Sequence, residues 1–135
     1  AGVFPLETVA GETRMIGDCL LECELEPGAR TTLAGFENHA GVTRLDEGAE
    51  PLGRVVAGYG NDGESGYEGV RVGSAVGTYL HGPLLPRNPW LADWLLERAL
   101  EHAGEAPELS LLADDLEREA HVVAAARARS RGGRS

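Results

Sequence analysis

Lysine is absent from this chain of 135 residues: all twelve cationic side chains are arginine, set against 22 acidic ones. The net charge of −10 leaves no broad basic face for nonspecific phosphate contacts, so nucleic acid is excluded as a partner. The exception is the stretch from Arg127 to Ser135, which carries four arginines and reads as a solvated chain end rather than a binding arm. Long apolar runs are also missing. None approaches the roughly 20 residues of a membrane span, and no basic-then-apolar leader opens the chain. A soluble, cytoplasmic protein is the expectation.

Cysteine is scarce. Cys19 and Cys23 are spaced C-x3-C, not the C-x2-C of zinc sites and dithiol motifs. In a strand they share one face with Leu21 and Leu25, and Glu22, Glu24 and Glu26 take the other. They read as buried, reduced core thiols, too far apart along that face for a disulfide. The glycine-rich stretch Gly58–Gly69 lacks the Lys-Ser/Thr ending of a phosphate-cradling loop, so it is a turn, and the chain carries no ATP loop. His39 and His81 have no third ligand at a recognisable spacing, so no metal is expected. No internal repeat interrupts the chain.

What is present is a globular composition, 42% hydrophobic, long enough for one core. The first residue is Ala1, and an apolar segment, Val3-Phe4-Pro5-Leu6, follows at once. The expectation is that an N-terminal part is missing. Alternation predicts strands over Arg14–Glu26, Thr31–Phe36 and Leu52–Ala57, with a polar turn at Glu37–Gly41. Two more strands, Tyr67–Val72 and Ser74–Leu80, join at Gly73. Asn88 reads as a helix N-cap with Pro89 in the first turn, Leu91, Trp94, Leu95 and Ala99 as one buried face, and Gly104 as the stop. A second helix is predicted over Ser110–Arg129, its inner side formed by Leu112, Leu116, Ala120 and Val123. His102 and His121 fall on these helices and read as solvent-facing. Strands followed by helices fit a free-standing α+β domain or the C-terminal half of a larger α/β domain.

The run Gly77-Thr78-Tyr79-Leu80-His81-Gly82-Pro83 carries the chemistry. An apolar strand ends at an imidazole and the backbone turns at once, which presents His81 at a sheet end, where ligands of open α/β sheets bind. Such a group can act as base and then as acid near neutral pH.

His81 has company. Gly35-Phe36-Glu37-Asn38-His39-Ala40-Gly41, Arg44-Leu45 and the stretch from Gly77 to Pro89 occur in order, with Arg14-Met15-Ile16-Gly17-Asp18 upstream. Pro51-Leu52-Gly53 and Gly58-Tyr59-Gly60-Asn61-Asp62-Gly63-Glu64 lie between. This combination resembles the GatD-like branch of the class I glutamine amidotransferases, the CobB/CobQ-like group that includes cobyric acid synthase. The likeness runs from about Gly2 to Gly104. It implies two regions. Residues 1–104 would be the C-terminal part of a three-layer α/β amidotransferase domain, and 105–135 a helical extension with an arginine-rich tail.

The resemblance further implies a glutaminase. In such enzymes a cysteine thiolate attacks the glutamine side-chain amide, a histidine moves the proton, ammonia leaves and water hydrolyses the thioester. His81 falls on the catalytic histidine. Arg14 falls on the arginine associated with glutamine binding, and a guanidinium fork suits an α-carboxylate. The alternative for Arg14 is an ion pair with Glu12 or Asp18. No cofactor is implied. The partner would be a Mur-ligase-like, MurT-like ATP-dependent subunit amidating the D-glutamate of lipid II, in peptidoglycan synthesis. An acceptor in corrinoid synthesis, or a non-catalytic binding module, is the competing reading.

Two departures stand out. Neither Cys19 nor Cys23 has the glycine-flanked strand-to-helix setting of the family nucleophile, so the residues as written should not hydrolyse glutamine. Many class I relatives also place a glutamate two residues after the histidine, where this chain has Pro83. A Cys–His dyad is then implied, with Glu37 a guess for the orienting acid. His39 either lines the site or bonds its own turn.

Overall fold

The computed structural model describes residues 2–131. Two long strands dominate it, β1 (Leu6–Glu26) and β2 (Ala29–Leu45). Pro27 and Gly28 join them. Pro27 supplies the fixed negative φ of a turn's first position and Gly28 the positive φ (+79°) of its second. β3 (Gly53–Ala57) pairs with β1, β4 (Tyr67–Glu68) with β3, and β7 (Leu80–His81) with β2, all antiparallel. The resulting sheet has the order β4-β3-β1-β2-β7. β5 (Val70–Val72) and β6 (Ala75–Gly77) form a separate small ladder that turns at Gly73. Three helices follow: α1 (Leu84–Arg87), α2 (Pro89–Ala103) and α3 (Asp115–Arg131).

Helices cover both faces of the sheet, which makes the three layers of the expected α/β architecture. On one face Cys19, Leu21, Cys23, Leu25 and Leu33 pack against Leu91 and Trp94 of α2. On the other, Leu20, Ala34 and Ala57 pack against Ala125 and Ala128 of α3. Both cysteines are buried and free, as their alternation indicates.

Several expectations need correction. Glu37–Gly41 is not a turn: β2 runs through it. Glu37 and Asn38 find distant partners, while His39 bonds the backbone of its own strand at Gly41. Buried Glu37 accepts the N–H groups of Tyr59 and Gly60, and His39 stacks on Tyr79 with ring centroids 3.6 Å apart. The Tyr67–Val72 strand is broken at Gly69, whose φ is +71°, and the Ser74–Leu80 strand splits into β6 and β7.

The second helix begins at Asp115, not Ser110, and its inner face is not the leucine face. Leu112, Leu116 and Val123 are exposed, while His121, Ala125 and Ala128 are buried. Small residues win because α3 lies close against the sheet at Leu20 and Ala34. His121 therefore does not face solvent. Its Nδ1 donates to Asn88 Oδ1, its Nε2 meets the Thr32 hydroxyl, and burial lowers its pKa. Asn88 starts α2, yet its side chain does not cap the helix; it bonds the backbone of Ala34. Ala99 of α2 is exposed. Gly104 closes α2 in the left-handed conformation as expected. Ser135 and the three residues before it lie outside the described residues.

Candidate active site

His81 sits at the end of β7, on an edge of the sheet, opposite Phe36 of β2. Its ring is exposed. Nδ1 bonds the carbonyl oxygen of Tyr79 two residues back. A carbonyl can only accept, so Nδ1 carries a proton, and in the neutral ring Nε2 holds a lone pair directed away from that contact. That is the neutral tautomer a general base requires. The chain turns away immediately, through a cis Gly82–Pro83 peptide.

Arg14 lies in an irregularity of β1. The ladder with β2 steps from Ala10↔Gly41 to Met15↔His39, so four residues of β1 lie opposite Ala40 alone. Such a bulge re-aims side chains. Gly11 permits the close approach, since a β-carbon there would stand 2.8 Å from the Ala40 oxygen. Arg14 Nε donates to Asn38 Oδ1 at 2.6 Å, and neither Glu12 nor Asp18 is its partner. Asp18 instead pairs with Arg127 and Arg131 of α3, which hold its carboxyl below the ordinary range. Among the described residues no hydrogen bond engages the terminal nitrogens of Arg14. Asn38 and Phe36 are two residues apart on β2, about 7 Å along the strand and on one face. The sheet therefore sets Arg14 and His81 on the same face. Beside them a groove of about 530 Å³ is lined by Ile16, Asp18, Phe36, Tyr59 and Arg131, among others.

Neither cysteine belongs to this face. Burial, reinforced by Glu37 and Glu68, pushes the Cys19 thiol far above its ordinary value. Burial also pushes Cys23 up to about 11, against the pull of Arg71. Neither is a thiolate at neutral pH. Glu37 does not orient His81: its oxygens hold the 59–60 backbone and approach His39 Nε2 at 3.9 Å. His39 itself is buried, with Nδ1 donating to Gly41 O. Among the described residues no group of three side chains could hold a metal ion.

One residue escaped the sequence: Glu68. Fully buried in β4, it accepts the Tyr79 N–H at 2.6 Å and the Thr78 hydroxyl at 2.9 and 3.0 Å. The only sequence signal was a single acid within the otherwise apolar run Tyr67-Glu68-Gly69-Val70. Burial raises its pKa from 4.5 to about 7, partly offset by those hydrogen bonds, with Glu37 adding repulsion. The folded state thus holds the Glu68 proton more tightly than the unfolded chain does. Its contribution to stability is complete below pH 4.5 and is lost as pH rises through about 7. The difference is worth about 3 kcal/mol. Glu68→Gln removes the titration. Denaturation of both proteins between pH 4.5 and 8 should show the variant gaining on the parent by that order as pH rises. Parallel curves would show that Glu68 ionises freely.

The comparisons with known proteins give the family. Residues 1–89 match the CobB/CobQ-like glutamine amidotransferase domain. The chain belongs to this family. It is 42% identical over 103 residues to the lipid II isoglutaminyl synthase (glutamine-hydrolyzing) subunit GatD of Staphylococcus aureus (strain N315). That match covers 76% of this chain and 40% of the relative. The GatD subunit of Streptococcus pneumoniae (strain ATCC BAA-255 / R6) is 44% identical over 88 residues, 65% of this chain and 33% of its own length. Cobyric acid synthase of Synechococcus sp. (strain CC9605) is 38% identical over 108 residues, 78% of this chain and 20% of that protein. The chain thus spans well under half the length of these relatives. No described helix is long and apolar enough to cross a membrane.

Proposed function

We propose that this chain is the histidine-bearing portion of a glutaminase subunit of the GatD type. Such a subunit releases ammonia from glutamine for ATP-dependent amidation of the D-glutamate of lipid II by a Mur-ligase-like partner in the cytoplasm. The observation that carries this reading is the His81 contact: an exposed strand-end imidazole whose Nδ1 is bonded to a backbone carbonyl, which leaves Nε2 to serve as the base. In the reaction Nε2 takes the proton of a cysteine thiol, the thiolate attacks the glutamine amide carbon, and the imidazolium returns the proton to the departing ammonia. The thioester is then hydrolysed to glutamate. Since Cys19 and Cys23 are buried protonated thiols, the nucleophile is a cysteine outside these residues, and residues 1–135 alone are inactive.

Arg14 holds the substrate. Asn38 fixes the guanidinium at Nε and leaves its terminal edge for the α-carboxylate of glutamine. Arg14→Lys keeps the charge and loses the fork, so KM for glutamine should rise about tenfold with kcat nearly unchanged. Steady-state ammonia release measures both. An unchanged KM would return Arg14 to the role of a bulge contact with Asn38.

The GatD acceptor is favoured over a corrinoid one by identity, 42% and 44% against 38%. The test is amidation of lipid II by this chain joined to the cysteine-bearing part, with purified Mur-ligase-like partner, glutamine and ATP. Amidation of a corrin carboxylate instead would move the chain to the cobyric acid synthase type.

A further inference from the structure

In this chain no acid follows His81 at the second position; Pro83 stands there. The structure supplies another route to a carboxylate. His81 Nδ1–H donates to the carbonyl of Tyr79. The N–H of that same peptide unit belongs to Leu80, and it donates to Thr78 Oγ1 at 3.0 Å. The Thr78 hydroxyl in turn donates to the Glu68 carboxylate at 2.9 Å. The links are continuous: carboxylate, hydroxyl, peptide, imidazole. A second bond, Tyr79 N–H to Glu68 Oε1, pins the same residue from its other side.

We propose that Glu68, acting through the Thr78 hydroxyl and the Tyr79–Leu80 peptide, is the positioning residue that orients His81 and fixes its Nδ1–H tautomer. The inference deepens the glutaminase reading and rests on it for its catalytic meaning. Its physical basis is polarisation along a hydrogen-bond chain. A buried anion draws the hydroxyl proton, which makes the hydroxyl oxygen a better acceptor for the amide, and the amide carbonyl becomes a better acceptor for the imidazole N–H. Glu68 is fully buried, so its field is little screened by water. It lies in β4, and the β5–β6 hairpin that follows, with Val70 opposite Gly77, folds residues 78 and 79 back beside it. The arrangement does for His81 what a directly bonded carboxylate does elsewhere: it selects the tautomer and favours the imidazolium. Glu37 cannot substitute, because its oxygens are occupied at residues 59 and 60.

The test is ¹⁵N spectroscopy of the imidazoles in this whole chain at pH 8.5, where an imidazole is ordinarily neutral and Glu68 is ionised. The parent should show His81 mainly as the Nδ1–H form. Thr78→Val and Glu68→Gln should each move the majority of the population to the Nε2–H form, and Thr78→Ser should restore the parent signal. Thr43→Val is the control. It cuts the 2.7 Å bond to the Tyr79 hydroxyl and leaves the chain to Glu68 untouched, so its His81 signal should match the parent. If Thr78→Val does not fold, Glu68→Gln, equal in shape, decides the matter alone. An unchanged tautomer in Glu68→Gln, or an equal shift in Thr43→Val, overturns the proposal. The measurement needs no enzyme activity. Absence of ammonia release when the cysteine-bearing part is also present would therefore overturn the glutaminase reading and leave the tautomer result standing.

Discussion

His81→Ala, assayed together with the cysteine-bearing part of a GatD-type enzyme, should lower ammonia release from glutamine by about 10³-fold, the middle of the range for a lost general acid–base group. The reason is that one imidazole acts twice. It removes the thiol proton before attack and delivers that proton to the leaving nitrogen afterwards, so both halves of acylation fail together. Binding of glutamine should persist, because Arg14 reaches the site from a different strand through Asn38. The variant should fold. His81 is exposed, and its ring bonds a carbonyl in its own chain segment, which water can replace. Its effect on unfolding free energy should stay within about 0.5 kcal/mol. Continuous assay of ammonia with a matched denaturation curve checks both halves of the claim. Turnover at the parent rate would remove His81 from the mechanism and with it the proposed function. A collapse in stability would show that the residue holds the sheet end instead.

How much of this was legible beforehand depended on the range of the interactions involved. The strand containing Cys19 and Cys23 was legible because alternation is local: each side chain's face follows from its position alone. The Gly104 stop was legible for the same reason, since it rests on a residue's own backbone freedom. His81 was legible because the Gly82-Pro83 turn directly after it forces the strand to end there. The Glu37–Gly41 strand was not, because polar residues announce a turn unless distant groups satisfy them, and here Tyr59 and Gly60 do so for Glu37 and Arg14 for Asn38. The buried side of α3 was misread for a related reason. Leucines outrank alanines in hydrophobicity, but a helix lying close on a sheet needs small residues where it touches, and Ala125 and Ala128 meet that need. Glu68 was invisible: nothing local separates a buried acid that organises a neighbouring segment from a surface acid on an edge strand. The expected turn at Gly73 sets residues 68 and 78–79 across one hairpin, but the burial that makes the acid an organiser comes from the packing around it.

Asn88 carries the largest expected effect on stability. It is completely buried, and its amide uses its full hydrogen-bonding capacity. Oδ1 accepts from the Ala34 N–H at 2.8 Å and from His121 Nδ1 at 3.0 Å. Nδ2 donates to the Ala34 carbonyl at 2.9 Å and the Leu84 carbonyl at 2.7 Å. β7 pairs with β2 only at Phe36 and Glu37, so the amide takes over the edge of β2 at Ala34, where that strand's N–H and C=O would otherwise meet nothing. The same side chain ties α1 through Leu84 and α3 through His121 to the sheet. Asn88→Ala removes all four bonds and leaves buried groups of Ala34 unpaired, each at about 1–3 kcal/mol. The variant should lose about 3–5 kcal/mol of unfolding free energy, read from denaturant curves at pH 7.5. Asn88→Asp should fare no better. It keeps the acceptor for Ala34 N–H, but it gives up both donors and buries a charge beside two carbonyl oxygens. A loss below about 1 kcal/mol in Asn88→Ala would mean that water enters and pairs with Ala34. The edge of β2 would then be held by packing of α2 and α3, and not by this amide.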